Sequence, residues 1–412
     1  MKKSPLASVG FAGFIGTQFL GAFNDNVFKM LVICAATAVL SPEAKRDYIP
    51  LASALFILPY LLFSAFAGYL ADRFSKRSVM IATKAAEIII MLTGGILFKF
   101  NAIYALLAVL FCMGAQSAFF SPAKYGFLPE TLPPEKLSSG NGATQLFTFL
   151  AIILGGWAGS QLSDTYKASF QTAALYPIAV AIAGFIISFL ITRTRPGSPH
   201  AKPTFDPISP HWRAFAEMRH NKALLFCILG NTYFWFLGAL FQANIPFIVQ
   251  DDLKQGDQMI GYLQGAVALG IGIGSAAAGF LSKGKIAFHF VLPGGLLLAI
   301  CAIAFGLTSS HVLPVLVITA LLGVTGGFYQ LPLNTGIQQY SPEDKRGAYL
   351  AAGNAIDCIS MLLASALHWL LLKPLHLSPG LVIVVLGIIT LCVIAALKAF
   401  MPDKIKKVKS AT

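Results

Sequence analysis

The sequence is a succession of long apolar runs, and this feature constrains its fold more than any other. Bounded by charge, proline or glycine, the runs fall at about 8–40, 49–71, 78–98, 103–120, 138–162, 172–192, 222–250, 258–282, 286–308, 312–332, 345–372 and 378–400. A helix that crosses a bilayer needs about 17–25 mostly apolar residues, and all twelve runs are long enough. Lipid offers no hydrogen bonds to a backbone, so each crossing segment is predicted to be a helix. The expected fold class is an all-α multi-pass membrane protein with twelve transmembrane helices. Composition points the same way. The 412 residues are 56% hydrophobic and 11% charged, with a mean hydropathy of +0.73. An ordinary soluble domain carries about 25% charged residues. A water-soluble enzyme and a disordered chain are both excluded.

The formal net charge is +13, from 30 Lys and Arg against 17 Asp and Glu. The basic residues sit in short loops and not on one soluble face, so no nucleic-acid partner is expected. Their distribution instead orients the chain. With the N-terminus on the cytoplasmic side, 22 Lys and Arg fall in inner segments and six in outer loops, while Lys29 and Lys84 lie within spans. That bias predicts both termini in the cytoplasm. The six cysteines all fall in apolar runs, no CxxC occurs, and the seven histidines form no metal-ligand spacing. No metal site and no cofactor are expected.

Lys2 and Lys3 precede a first run that is too long for a signal peptide and lacks a small-residue cleavage site, so that run is expected to be retained. The longest hydrophilic stretch divides six spans from six. The expected domains are therefore 1–192, a linker at 193–221, and 222–412 with a basic tail. Within the linker, Ser209-Pro210 is a good helix start, and Trp212, Phe215 and Arg219 follow at helical spacing. A short amphipathic helix on the inner membrane surface is expected there.

The two halves repeat. Gly68-Tyr-Leu70 matches Gly279-Phe-Leu281, and Ser121-Pro122-Ala-Lys124-Tyr-Gly126 matches Leu331-Pro332-Leu-Asn334-Thr-Gly336. Pro134-Glu-Lys136 matches Pro342-Glu-Asp-Lys345, and Gly140-Asn-Gly142 echoes Gly353-Asn354. A period near 210 residues is too long for a solenoid unit. It suits two six-helix bundles of an alternating-access transporter.

Gly68-Tyr-Leu-Ala-Asp72-Arg73-Phe-Ser-Lys76-Arg77 resembles the signature between spans two and three of the major facilitator superfamily, with Ser75 where glycine is usual. Phe23-Asn24-Asp25-Asn26, Ser121–Gly126, Asn231-Thr-Tyr-Phe-Trp235-Phe-Leu-Gly238, Pro332-Leu-Asn334 and Gly353-Asn354-Ala355 together resemble the bacterial lysophospholipid transporter family. The likeness is greatest to the version fused to a 2-acylglycerophosphoethanolamine acyltransferase. It implies a secondary transporter, a flippase, that moves lysophospholipid from the outer to the inner leaflet of the bacterial inner membrane. A partner acyltransferase would re-acylate the cargo, and the transporter would act as a monomer. An exporter of small amphipathic compounds and, in another class, a membrane-embedded acyltransferase are the alternatives.

An ionisable group inside a span marks a functional site by default. Asn24-Asp25-Asn26 interrupts the first span. Asp25 is expected to hold a lipid ammonium, a coupling ion, or simply Lys29 at i+4; the resemblance places it on the substrate path. Lys84 and Glu87 form an i,i+3 pair that either braces the bundle or meets substrate. Lys124 is a candidate phosphate contact or an orientation anchor, and Asn334 is its uncharged repeat mate. Asn231, Trp235, Gln242 and Asn244 offer polar and aromatic contacts in span seven, and Asp357 near Asn354 is a second intramembrane acid. The resemblance implies a conformational latch at Gly68, Asp72, Arg73 and Arg77; Asp72 is placed to meet the positive end of a neighbouring helix. Lys283, near the equivalent place in the second half, makes that latch one-sided.

Catalytic motifs fail. Gly279-Phe-Leu-Ser-Lys-Gly284-Lys285 starts like a phosphate loop, but Ile286 replaces the metal-holding hydroxyl and no strand precedes it. No histidine has the His-x4-Asp spacing of the acyltransferases, and about ten residues follow the last span, so no catalytic domain and no enzyme activity are expected.

Overall fold

In the computed structural model, residues 5–166, 169–200, 206, 209–256, 258–402 and 405 are described. Parts of the basic loops and tail used in the orientation tally, among them Lys2, Lys3, Lys167, Lys202, Lys404, Lys406, Lys407 and Lys409, lie outside them. The first half supplies α1 (Val9–Val39), α2 (Pro42–Arg73), α3 (Lys76–Lys99), α4 (Ile103–Thr131), α5 (Pro134–Thr165), the short α6 (Phe170–Ala173) and α7 (Leu175–Ser188). The linker helix α8 (Ser209–Met218) follows. The second half supplies α9 (Lys222–Phe247), α10 (Gln258–Leu281), α11 (Val291–Leu307), α12 (Val312–Tyr340), α13 (Arg346–Leu372) and α14 (Pro379–Phe400). Among the described residues, twelve segments are long and apolar enough to cross a membrane.

Hydroxyl and amide side chains set several helix starts. Ser8, Ser41, Ser75, Asn221 and Ser378 each accept a backbone N–H at a helix N-terminus, the pattern that satisfies otherwise unpaired amides. Ser75, the departure from the signature, is one of these caps: its Oγ accepts from Ser78 N at 3.1 Å.

Two spans run past their expected ends. The fourth was expected to stop near 120 and the tenth near 332, but α4 continues to Thr131 and α12 to Tyr340, with Pro122, Pro129 and Pro332 inside the helices. Proline interrupts one backbone hydrogen bond, which neighbours in a membrane bundle can replace. The continuation puts Lys124 and Asn334 within helices and not at their ends. In α9, Pro246 precedes a π-helical turn at Ile248–Asp252.

The chain divides into two compact units. Unit one holds Met1–Leu132, Leu150–Phe215 and Pro342–Ala355; unit two holds Pro133–Phe149, Ala216–Ser341 and Ile356–Thr412. The division cuts α5 and α13: the first turns of α5, to Phe149, belong to unit two and those of α13, to Ala355, to unit one. In unit one, Phe28, Leu31 and Val32 of α1 pack with Met91 of α3, Leu106 and Leu110 of α4 and Ala181 of α7. Small residues allow closer approach. A Cβ on Gly155 of α5 would lie 2.4 Å from Phe23 O of α1. In unit two, a Cβ on Gly270 of α10 would lie 2.4 Å from Ala320 O of α12.

Candidate functional site

The polar residues of the spans gather in three places. The first is the membrane core of unit one. Glu87 of α3 pairs with Lys84 one turn earlier, and both side chains are almost wholly buried. Asn24 Nδ2 of α1 donates to Glu87 Oε1 at 2.7 Å, and Gln116 Nε2 of α4 reaches Glu87 Oε2 at 3.5 Å. Next to Gln116, Ser117 Oγ donates to Asp25 Oδ2 at 2.7 Å. Asp25 Oδ1 and Asn24 Oδ1 are buried and have no hydrogen-bond partner among the described residues. The pairing of Asp25 with Lys29, one of the three alternatives open from the sequence, does not form an ion pair within 4.0 Å; Lys29 Nζ lies 5.8 Å above the Phe56 ring. Two glycines make room for Lys84. A Cβ on Gly184 would lie 2.7 Å from Lys84 Cε, and one on Gly21 3.3 Å from its Nζ. Asn26 turns to its own helix, donating to Ala22 O at 2.8 Å.

The second place is also in unit one, where the end of α2 meets the start of α13. Asp72 Oδ1 accepts from Gly347 N at 2.6 Å and Oδ2 from Ala348 N at 2.9 Å. These amides head a helix, where aligned peptide dipoles favour a negative charge. The backbones touch: a Cβ on Gly347 would lie 2.6 Å from both Asp72 Oδ1 and Gly68 O. Lys76, whose side chain is fully buried, stands 3.9 Å from Asp72 and 3.0 Å from Glu130 Oε1 of α4. Gly126 leaves room for it, since a Cβ there would lie 2.9 Å from Lys76 Cε. Arg73 bonds Tyr69 of its own helix, and Arg77 donates to Phe189 O at 2.7 Å. The signature's two arginines thus serve other contacts, and Lys76, which sequence reasoning did not single out, is the cation beside Asp72. In the same unit, Asn354 Nδ2 donates to Ser121 Oγ at 3.1 Å, and Lys124 Nζ lies buried 5.3 Å above the Tyr125 ring.

The third place is the membrane core of unit two. Asp357 of α13 accepts from Asn231 Nδ2 at 2.9 Å and from Thr232 Oγ1 at 2.7 Å. Asn231 Oδ1 accepts from Gln330 Nε2 of α12 at 3.0 Å. Gln330 in turn accepts from Gln145 of α5, and Gln145 accepts from Ser275 of α10. A side-chain chain thus links five helices and ends on one carboxylate. Asn334 Oδ1 accepts from Gln338 Nε2 at 3.4 Å, and Gln338 exchanges two hydrogen bonds with Asn141 at 2.8 and 2.9 Å. Asn244 Nδ2 donates to Pro379 O at 2.9 Å. Trp235 and Gln242 are exposed and take no part in the chain. Among the described residues no cluster of three or more His, Cys, Asp or Glu is placed to hold a metal.

Gln116, Ser117, Thr232, Gln145, Ser275 and Gln330 were missed from the sequence. Their signal was present: each is a polar group in a span, where an unsatisfied one would cost several kcal/mol (about 2–7).

Comparison with known proteins bears on this arrangement. Residues 16–365 match the family model described as Major Facilitator Superfamily. A protein of Klebsiella pneumoniae named "Lysophospholipid transporter LplT" is 32% identical over 373 residues, covering 88% of this chain and 89% of that protein. A protein of the same name from Citrobacter koseri is 30% identical, covering 92% of each. Among solved structures, the human organic anion transporter MFSD10 superimposes with a TM-score of 0.77 at 15% identity, covering 94% of this chain and 99% of that one. The Escherichia coli fucose:proton symporter FucP gives 0.75 at 12% identity, covering 95% and 98%. These two likenesses are of fold. With a family model spanning most of the chain and relatives matched over about nine-tenths of their length, the chain belongs to the Major Facilitator Superfamily, on the branch of the bacterial lysophospholipid transporters.

Proposed function

We propose that this protein moves lysophospholipids, such as lysophosphatidylethanolamine, from the outer to the inner leaflet of the bacterial inner membrane. The observation that carries this reading is the near full-length match to proteins named lysophospholipid transporters. The physical chemistry supports it. The polar side chains within the spans are few, and hydroxyl-rich sugars would leave groups unpaired at about 1–3 kcal/mol each. A compact head with one apolar tail suits such an interior. Tail burial contributes about 0.8 kcal/mol per methylene against water, but almost nothing when the tail starts in lipid. The head therefore provides selectivity, and Asp25, Asn24, Lys29 and Lys124 are its candidate contacts. Both termini face the cytoplasm, halves 1–192 and 222–412 rock about the linker, and the protein works as a monomer with an acyltransferase downstream. Asp72 serves as a latch released during that motion; its grip on the Gly347 and Ala348 amides supports this role.

The test is flipping of fluorescent lysophosphatidylethanolamine and its diacyl counterpart by purified protein in proteoliposomes. Transport of the single-chain lipid alone is expected. Equal flipping of both indicates a scramblase, and flipping of neither favours the exporter of small amphipathic compounds. Acyl transfer by the pure protein would indicate the acyltransferase. Reporter fusions after Met401 that score as periplasmic would reverse the orientation.

A further inference from the structure

Two acids in the membrane cores, Asp25 and Asp357, have no counter-charge within 4.0 Å among the described residues; Asp357 is the one whose two carboxylate oxygens both accept a hydrogen bond. Asp357 is 7% exposed and lies midway along α13. Among the described residues, no Lys, Arg or His nitrogen lies within 4.0 Å of its carboxylate. Glu87, Asp72 and Glu130 all have a lysine within that distance. An ionised carboxylate in the membrane without a counter-charge is strongly disfavoured, yet this one is prepared for charge. Both its protein partners, Asn231 and Thr232, donate to it. Behind Asn231 the donors line up in one direction, Ser275 to Gln145, Gln145 to Gln330, and Gln330 to Asn231. Such a chain places the positive ends of its dipoles toward the carboxylate, and hydrogen bonds in series strengthen one another. Each carboxylate oxygen accepts one hydrogen bond from these partners and can accept a second.

We propose that Asp357 is the seat for a monovalent cationic group, with Asn231 and Thr232 as its positioning residues. The group is the ammonium of the transported head or a free alkali cation that travels with it. The donor chain fixes where the negative charge sits; the missing counter-charge comes from the cargo. This inference rests on the reading of the chain as a lysophospholipid carrier. It adds that heads with an ammonium are distinguished from heads without one in unit two.

Asp357→Asn keeps the volume and one acceptor oxygen while removing the charge. Asp357→Glu keeps the charge. Both are compared with the parent in proteoliposomes that contain lysophosphatidylethanolamine or lysophosphatidylglycerol, with and without sodium. If the head supplies the cation, Asp357→Asn loses tenfold or more on the ethanolamine lipid, stays within twofold on the glycerol lipid, and Asp357→Glu recovers part of the loss. If a free cation fills the seat, the parent needs sodium for the glycerol lipid and Asp357→Asn loses that dependence. Undiminished transport of both lipids by Asp357→Asn overturns the proposal. So does equal loss on both in a protein whose parent ignores sodium. Thermal stabilisation of the purified protein by sodium or phosphoethanolamine, with phosphoglycerol as control, is read in parallel. It requires no lipid movement, so it decides the proposal even where neither lipid is flipped. Stabilisation that Asp357→Asn abolishes supports the seat, and its absence in the parent rejects it.

Discussion

The two units solve the same packing problem with different chemistry. In unit one the end of α2 meets the start of α13, with Gly68 against Gly347. In unit two the end of α10 meets the start of α5, where a Cβ on Gly279 would lie 2.8 Å from Ser138 O. Gly279 is the repeat mate of Gly68. The close backbone approach is therefore common to both repeats. The charge is not. Unit one sets Asp72, Lys76 and Glu130 beside its contact. Unit two uses hydroxyls: Ser139 Oγ donates to Gly279 O at 2.9 Å and Ser138 Oγ to Lys285 O at 3.3 Å. Lys283, the counterpart of Asp72, is exposed in the left-handed region at φ 45°. The membrane cores follow the same division. The ion pairs among the described residues all fall in unit one, whereas unit two relies on neutral amides around Asp357. Backbone proximity is thus the shared architectural element, and charge is the element in which the repeats diverged.

The largest expected effect tests that division in the cores. Glu87→Leu strands the buried Lys84 without a counter-charge and should cost about 3–5 kcal/mol. Lys84→Met combined with Glu87→Leu should recover most of it. Gln330→Leu, which breaks the neutral chain of unit two, should cost about 1–3 kcal/mol. Denaturant unfolding in detergent gives all three numbers, and equal costs for the two single variants would erase the contrast.

Next come the glycines, where both units should respond alike. Gly347→Val and Gly279→Val each force a side chain into backbone, and overpacking of this kind costs about 1–3 kcal/mol. Transport should fall in both. If one variant transports normally, its contact is not part of the shared architecture.

A smaller effect belongs to the charge alone. Asp72→Asn removes a negative charge from a helix N-terminus and should cost about 0.3–2 kcal/mol. Lys283→Asp, at the exposed mate, should stay within about 0.5 kcal/mol. Thermal unfolding of the two variants side by side checks the asymmetry.

The smallest effect concerns α8. His211 Nε2 lies 2.8 Å from Ser64 Oγ of α2, while Trp212 beside it is 72% exposed. Burial holds the His211 imidazole below its ordinary 6.5. The unfolded chain therefore takes up a proton before the folded one does. The stability from this docking is complete above about pH 6.5 and is lost as pH falls toward the folded value. The melting temperature should decline between about pH 7 and 5, and His211→Gln should flatten the decline. An unchanged slope would separate α8 from the stability of unit one.

Much of the fold was legible because solvent dictated it. A helix in lipid must be apolar over a fixed length, so hydropathy alone located the spans. It failed at Pro122 and Pro332, which punctuate helices in water but lie inside α4 and α12. The charged candidates were also legible, since Asp25, Lys84, Glu87 and Asp357 stand out in apolar runs. Their partners were not. Asn24 and Glu87 are 63 positions apart, and Asn231 and Asp357 126. No helical spacing links residues on different helices. Gln116, Gln145 and Gln330 carry no charge to draw attention, and their role emerges only when the helices stand side by side.

The cavity carved for Lys84 has a consequence for inheritance. Gly21 and Gly184 lie on different helices and both face the Lys84 side chain. A descendant that shortens the lysine frees both glycines, and alanine can then enter at either. A descendant that keeps the lysine holds Gly184 fixed, because a methyl there collides with the side chain's stem. Positions 21, 84 and 184 should therefore change together across the family, the two glycines drifting only after the lysine has gone.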